Sequence, residues 1–102
     1  DRKNEPVAVL SAVSMAFIDL YRARAAMTVN KRANDIIADF NYRGREFAVN
    51  NAYRDCSKIS LENIRKCIII LRDTDKKLKS SFASQKIILE KALTEMILAA
   101  RG

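Results

Sequence analysis

Histidine and tryptophan are absent from this 102-residue sequence, which also holds only two glycines, one proline and two cysteines. So few helix breakers, and no alternating strand pattern with hairpin turns, argue against a sheet protein. Alanine, leucine, isoleucine, lysine and arginine are abundant, and these residues favour helices. An apolar fraction of 49% is too high for a disordered chain. The composition therefore predicts one all-α domain over residues 1–102.

The motifs of common enzymes are also missing. The sequence contains no G-x-S-x-G nucleophile motif and neither glycine-rich phosphate loop, G-x-x-x-x-G-K-[ST] or G-x-G-x-x-G. Asp73 and Asp75 are two residues apart on a predicted helix, so their carboxylates diverge instead of sharing a substrate. Because no nucleophile is paired with a base, we predict a domain that is not an enzyme by itself and binds no cofactor.

Cys56 and Cys67 are the only cysteines, and their spacing fits neither a zinc motif nor a disulfide-rich scaffold. A chain without histidine also lacks a usual zinc ligand, so no metal site is expected. We predict that both thiols are reduced and partly buried, as is typical of a cytoplasmic protein.

The chain opens on the charged residues D-R-K-N-E-P and does not start with methionine. Residues 1–5 are therefore expected to form a linker, and the chain to be a C-terminal fragment of a longer protein. No signal peptide is recognisable. The longest apolar window, Val7 to Ile18, is too short to span a bilayer and contains two serines. These features predict a cytoplasmic domain with no membrane partner.

Capping residues and helical periodicity predict five helices, at about residues 5–27, 32–40, 45–57, 60–80 and 84–100. Asn4, Ser60 and Ser84 are placed to cap the first, fourth and fifth, because their side-chain oxygens can accept a first-turn N–H. The fourth and fifth helices are joined by a short link, so they should pack antiparallel. Their apolar stripes are Leu61, Ile64, Ile68, Leu71 and Leu78 on the fourth helix, and Ile88, Leu89, Ala92, Leu93, Met96 and Ala100 on the fifth.

The first three helices carry less regular patterns. Val9, Met15 and Ile18 lie off the main stripe of the first helix, which predicts either wide burial or contact with a partner. Asn41 or Gly44 is expected to take a left-handed conformation after the second helix. The residues of the third helix expected to face inward are Phe47, Ala48, Ala52 and Cys56.

One polar pattern spans the predicted hairpin of the last two helices. Asp75 and Lys79 are four residues apart, so they are neighbours on the helix surface. If Lys79 and Gln85 flank the turn, Glu90 lies level with Asp75 on the facing helix, and the lysine side chain leans back to that level. One ammonium would then sit between two carboxylates. The alternative is an exposed pair that contributes less than about 1 kcal/mol.

The formal net charge is +7, which favours acidic partners such as nucleic acid, anionic lipid or an acidic protein face. Acidic residues interrupt the basic ones, so a solvated surface of mixed sign explains the pattern equally well. The candidate contacts to DNA or to an acidic partner are Arg43, Arg45, Arg54, Lys76 and Lys77.

The second and third helices also have the outline of a helix-turn-helix DNA-binding unit. In that alternative four side chains of the third helix would face the major groove: Arg45, Asn50, Asn51 and Arg54. Arg and Asn are good base readers there. The polar break between the two helices is longer than the usual tight turn, and two plain bundle helices would give the same pattern.

Three stretches resemble a known family. They are E-P-V-A-V-L with L-Y-R-A-R in the first helix, R-G-R-E-F-A-V-N-N-A-Y-R around the third, and S-L-E-N-I, L-R-D-T-D-K-K-L-K-S and S-Q-K-I-I-L-E in the last two. The last set resembles S-L-x-x-L, L-x-x-x-D-x-x-L-K-S and D-x-x-x-x-L-E of the C-terminal domain of the delta subunit of the bacterial DNA polymerase III clamp loader. Ser84 stands where that family usually has Asp, in the same capping role. The residues on the pattern are Asp75, Leu78, Lys79, Ser80, Leu89 and Glu90.

The resemblance covers nearly all of the chain and implies a five-helix bundle of the clamp-loader collar type. In that family the domain is part of a pentameric collar and holds the clamp-opening subunit to the ATPase subunits and to delta-prime during DNA replication. The resemblance implies no chemistry in the domain itself, contact with the sliding clamp only through the absent N-terminal part, and at most weak, non-specific DNA binding. It also favours a structural role for Asp75, Lys79 and Glu90. A collar domain should leave an apolar stripe uncovered on the first, fourth or fifth helix, whereas a DNA reader should concentrate arginine and lysine on the third.

Overall fold

The computed structural model describes residues 5–102, and all regular structure in this range is helical. The all-α prediction is thus confirmed. A short 3₁₀ turn, Cys56–Lys58, closes the third helix. The α-helices are α1 (Glu5–Thr28), α2 (Ala33–Asp39), α3 (Glu46–Asp55), α4 (Leu61–Ser80) and α5 (Gln85–Arg101). Each described helix begins and ends within two residues of the bound expected from the sequence, whereas the proposed cap Asn4 and most of the proposed linker lie outside the described residues.

Local chemistry accounts for several helix ends. The hydroxyl oxygen of Ser60 accepts a hydrogen bond from the N–H of Asn63, and that of Ser84 accepts one from the N–H of Ile87. Both serines act as the predicted N-caps. At the end of α1, Asn30 takes the left-handed conformation with φ of 59°, and the N–H of Lys31 bonds to the carbonyl of Ala26. This closure satisfies end carbonyls of α1 as a Schellman motif does.

The left-handed residue expected after α2 does not end that helix. Phe40 is its C-cap in extended conformation, and Asn41 has no positive φ. Gly44 does have a φ of 79°, but it lies four residues further on, immediately before the N-cap of α3. Gly44 therefore shapes the entry to α3, where a residue with a β-carbon would be strained.

The described residues form two hydrophobic clusters that share α1. The first joins the C-terminal half of α1 to α2 and α3, and its buried members are Ala23, Ala26, Ile36, Tyr42, Val49, Ala52 and Cys56. The second joins the N-terminal half of α1 to α4 and α5, and its buried members are Leu10, Cys67, Leu71, Leu78, Leu89 and Met96. The inward faces of the two halves of α1 are separated by roughly 150° around the helix axis. A helix that packs on two different sides must be apolar on both, which explains the broad apolar pattern of α1.

Two expectations about burial were wrong. Phe47 is 65% exposed, because α3 packs through Val49, Ala52 and Cys56 and Phe47 lies roughly 160° around the helix from that stripe. Both thiols are completely buried instead of partly so, since Cys56 belongs to the first cluster and Cys67 to the second.

By length and composition alone, α1 is able to cross a membrane, and its most apolar 18-residue window has a mean hydropathy of 1.3. The apolar segment is thus longer than the window from Val7 to Ile18 that was judged too short. Only 17% of this window is buried. Core helices of globular proteins meet the same criterion, and α1 packs against each of the other four α-helices.

Candidate functional site

The predicted polar cluster of α4 and α5 is present in part. Lys79 Nζ donates to Asp75 Oδ2 at 2.8 Å, and the two side chains are 74% and 46% exposed. Among residues 5–102, no ion pair joins Lys79 to Glu90. Glu90 follows the buried Leu89 and is exposed on the solvent side of α5. The structure therefore brings together two of the three residues, as a surface pair within α4.

The predicted basic contact residues do not share one surface. Arg45 donates from Nη2 to Asp19 Oδ2 at 2.9 Å, and Arg54 pairs with the adjacent Asp55 at 3.2 Å. Arg43 is exposed in the α2–α3 loop. Two further candidates are exposed near the end of α4, a helix that does not pack against α3 within the described structure: Lys76 and Lys77. The side-chain amide of Asn50 donates to the carbonyl of Glu46, while Asn51 is exposed.

A buried polar network that the sequence interpretation missed centres on Asp19 of α1. The hydroxyl of Tyr42 donates to Asp19 Oδ1 at 2.5 Å, and Arg45 supplies the second hydrogen bond to this carboxylate. Arg22 Nη1 in turn donates to the Tyr42 hydroxyl at 3.0 Å, and the guanidinium carbon of Arg22 lies 3.9 Å from the centroid of the Phe40 ring. These contacts hold the loop between α2 and α3 against α1.

The electrostatics of this network suit a structural role. Burial raises the pKa of Tyr42, as does its hydrogen bond to Asp19, while the nearby Arg22 opposes both effects. The phenol therefore stays protonated and continues to donate. The signal for this network was available in the sequence, because Asp19 is the one charged residue between Pro6 and Tyr21. A lone carboxylate in an apolar helix must find partners if it is buried.

An apolar surface remains uncovered where α1 and α4 meet solvent. Val7, Met15 and Ile18 of α1 lie within about 80° of one another around the helix and are each more than 40% exposed, and Ile69 of α4 is 47% exposed. Val9 is exposed to a similar extent on the other side of α1. Isolated exposed apolar residues are ordinary, but a contiguous group of them marks an interaction surface.

A groove of about 500 Å³ runs between α1 and α4 within this surface. Its floor contains Leu10 and Leu71, and the small side chains of Ser11 and Ser14 leave it open. The remaining lining residues are Val7, Ile18, Ile68, Arg72, Asp75 and Lys79. A neighbouring pocket shares Ile68 and extends the groove along both helices to Tyr21, Arg65 and Ile69.

A second uncovered apolar face belongs to α5. Ile87, Ile97 and Leu98 are between 56% and 65% exposed, and two of them, Ile87 and Leu98, lie on the side of the helix opposite its buried stripe of Leu89 and Met96. Phe82, in the turn that precedes α5, is fully exposed. The predicted inward stripe of α5 is thus observed, and additional apolar residues stand outside it.

The described residues show no arrangement typical of a reactive centre. Between residues 5 and 102, no three His, Cys, Asp or Glu side chains are grouped as metal ligands would be. Burial raises the pKa of both Cys56 and Cys67, which disfavours the nucleophilic thiolate. The arrangement supports noncovalent contact through apolar faces.

Comparison with known proteins does not identify the function of this chain. No protein-family model matches the chain, and neither a curated protein nor a solved structure is significantly similar to it.

Proposed function

We propose that this chain is the collar domain of a DNA polymerase III delta subunit, an all-α bundle of the clamp-loader collar type. In this role it holds the clamp-opening subunit to the C-terminal domains of the ATPase subunits and of delta-prime during bacterial DNA replication. The domain itself is a noncatalytic assembly module of the cytoplasm, and it reaches the sliding clamp only through the rest of its subunit.

The observation that carries this proposal is the pair of uncovered apolar faces, one at α1 and α4 and the other on α5. A member of a closed ring contacts a neighbour on each side through two different surfaces. Two separate apolar faces on one small domain fit that requirement. The uncovered face includes Met15 and Ile18, which the sequence pattern already placed outside the stripe that packs in the core.

The positions that carry the family resemblance give further support. The pattern L-x-x-x-D-x-x-L-K-S ends α4, and the pattern with L-E begins α5. Leu78 and Leu89 from these two patterns are both buried in the second hydrophobic cluster. Ser80 and Ser84 lie at the two sides of the intervening turn, and Ser84 caps α5. These residues form a closed α4–α5 hairpin.

The helix-turn-helix alternative has less support in the contacts of α3. A DNA reader needs arginine and asparagine side chains that are free to reach base edges. Arg45 is bound to the buried Asp19, Arg54 pairs with Asp55, and the Asn50 amide bonds to its own helix. Weak, sequence-independent DNA binding by the exposed lysines of α4 remains compatible with the collar proposal.

The direct test is a pair of calorimetric titrations, at about 50 and 200 mM salt, a range over which phosphate contacts weaken steeply. The first partner is the C-terminal domain of the clamp-loader ATPase subunit from the same organism, and the second is primed DNA. Docking through apolar surface should tolerate the higher salt, whereas DNA binding should be weak and should fall steeply.

A matched pair of variants assigns the docking to the uncovered face. Met15→Ser lies on α1, and Val29→Ser changes an exposed apolar residue in the α1–α2 loop as the control. Met15→Ser should weaken docking while Val29→Ser leaves it unchanged. Tight, sequence-selective DNA binding that survives high salt, with no binding to the ATPase domain, would overturn the collar proposal and favour the helix-turn-helix alternative.

A further inference from the structure

The groove between α1 and α4 has two unlike walls. From Val7 to Ile18 the α1 wall carries no charge, because Asp19 is the first charged residue after Glu5. The α4 wall carries three cations, Arg65, Arg72 and Lys79, against one carboxylate. That carboxylate, Asp75, is already bound to Lys79. Three cations and one carboxylate leave this wall with a net charge of +2.

The groove is long enough for a helix to lie in it. Its α4 wall runs for 14 residue steps, from Arg65 to Lys79, which is about 21 Å at the helical rise per residue. Ser11 and Ser14 line the middle of the α1 wall, and small residues let a partner backbone approach closely. The apolar floor at Leu10 and Leu71 would receive the apolar stripe of an amphipathic helix.

The cationic side chains stand at spacings that a helical partner can match. Arg65, Arg72 and Lys79 recur every seven residues, so they line the same side of α4. Arg65 is held over the Tyr21 ring at 5.6 Å from its centroid and reaches the Tyr21 hydroxyl at 3.4 Å. Arg72 has a side chain that is 63% exposed and only a 3.7 Å contact to Asp73. A partner carboxylate can therefore approach this edge.

We infer that the α1–α4 groove binds an amphipathic helix of a protein partner, with its apolar stripe on the groove floor and acidic residues along the edge that faces α4. The inference deepens the proposed function and rests on it, because it names the surface and the chemistry through which a neighbouring helical domain would dock. Apolar burial supplies most of the affinity, and the acidic edge sets the orientation.

The test uses two synthetic helical peptides of about 18 residues, which is one helical turn more than the roughly 21 Å of this groove requires. Both carry leucine along one stripe; one has glutamate along the adjacent edge and the other has lysine at the same positions. Nuclear magnetic resonance titration of the isotope-labelled chain should show binding of the acidic peptide, with the largest shift changes at Val7, Ile18 and Ile68. The lysine peptide should bind at least about tenfold more weakly.

Two charge-reversal variants distinguish the effect of the charges on the α4 wall from the effect of the net charge of the whole chain. Arg72→Glu changes the wall, and Lys91→Glu makes the same change of charge on an exposed residue of α5. Arg72→Glu should lower the affinity for the acidic peptide by about tenfold or more and should improve binding of the lysine peptide. Lys91→Glu should leave the ratio of the two affinities as it is, and circular dichroism should show that both variants are folded.

Three outcomes would overturn the inference: equal binding of the two peptides, shift changes confined to α5, or no peptide binding. Binding of phosphatidylcholine–phosphatidylglycerol vesicles through the groove residues in place of the peptides would also overturn it and assign the groove to a lipid surface. The peptide assay contains no clamp-loader subunit. If neither peptide binds, the groove inference is wrong, and the collar proposal is still tested by the titration with the ATPase domain. If that titration fails while the acidic peptide binds, the collar proposal is wrong and the groove still binds a helix.

Discussion

At the scale of single residues, Asp19 accepts hydrogen bonds from Tyr42 and Arg45 while only 7% of it is exposed. Asp19→Ala would leave both donors without this acceptor inside the α1–α3 contact. Breaking a buried ion pair costs about 3–5 kcal/mol, and the 36% exposure of the Arg45 side chain reduces the expected loss to about 2–3 kcal/mol. Urea unfolding monitored by circular dichroism measures this change.

The control for Asp19→Ala is Asp39→Ala. Asp39 pairs with Lys31 at 3.1 Å, but both side chains are at least half exposed, so this change should cost less than about 1 kcal/mol. Equal losses for the two variants would show that the Asp19 network adds nothing beyond a surface pair.

The two buried thiols should make the free energy of unfolding decrease at alkaline pH. Burial raises the pKa of Cys56 and Cys67 above the ordinary thiol value of 9.0. The folded state therefore holds these protons more tightly than the unfolded state. Their contribution to stability is complete below about pH 8.5 and is lost as the pH rises through the folded pKa values. Urea midpoints should fall between about pH 8.5 and 10.5, and less steeply in a Cys56→Ser, Cys67→Ser double variant; equal slopes would contradict this assignment.

Because Lys79 is exposed, we expect it to couple weakly to Asp75 and not at all to Glu90. A double-mutant cycle on Lys79 and Asp75 should give about 0.3–0.5 kcal/mol, because the pair is exposed and one helical turn apart. The cycle on Lys79 and Glu90 should give a value near zero. A coupling to Glu90 of about 0.5 kcal/mol or more would restore the three-residue cluster predicted from the sequence.

At the scale of helices, the apolar stripe that the sequence predicted for α4 includes Leu71, which the structure buries. Leu71 is 3% exposed in the second cluster. Leu71→Ala should cost about 2–5 kcal/mol, because it removes buried methyl groups and leaves a cavity. The matched control is Ile69→Ala, two residues away on the same helix and 47% exposed, which should cost under about 1 kcal/mol. Similar losses in urea melts of the two variants would contradict the observed helix orientation.

The presence of the helices and the residues at which they end were predictable from the sequence, because both depend on residues that are close together in the chain. Ser60 and Ser84 cap helices through contacts within three residues, and a capping signal of this kind is visible in the sequence itself. The inward stripe of α5 was likewise visible, because a 17-residue helix repeats its apolar pattern over several turns. A short helix offers no such repetition, so the orientation of α3 depended on where α1 lies.

Contacts distant in sequence account for what the pattern missed. Tyr42 looks like a loop residue by its neighbours, yet it is 2% exposed, and Asp19, 23 positions earlier, accepts a hydrogen bond from its hydroxyl. Phe47 looks like a core residue by its type, yet it lies on the side of α3 away from Val49 and Ala52, which belong to the first cluster. An uncovered apolar stripe on the first, fourth or fifth helix was expected, but the groove itself was not, since it arises from the packing of two helices.

At the scale of the whole molecule, the shape agrees with an assembly module. The Cα radius of gyration is 14.7 Å, against about 13 Å for a compact domain of this length. The principal extents are 45, 32 and 17 Å, so the molecule is flat. A flat domain covers less of its apolar surface than a round one, which is consistent with the exposed faces on α1, α4 and α5.

The sharing of α1 by the two clusters predicts that the chain unfolds as one cooperative unit. Loss of the second cluster frees the N-terminal half of α1, and the other half then keeps only its contacts with α2 and α3. In a Tyr21→Phe background the chain offers a selective probe of the first cluster, because the other two tyrosines, Tyr42 and Tyr53, both belong to it and the sequence holds no tryptophan. Urea transitions followed by tyrosine fluorescence and by circular dichroism should therefore coincide.

The decisive form of this experiment places the mutation in one cluster and reads unfolding in the other. Leu71→Ala, in the second cluster, should lower the tyrosine-detected midpoint by the same amount as the midpoint from circular dichroism. Val49→Ala, in the first cluster, should do the same, and the two losses should add within about 0.5 kcal/mol in the double variant. If Leu71→Ala leaves the tyrosine-detected urea midpoint unchanged, α2 and α3 unfold separately, and α1 does not couple the two clusters.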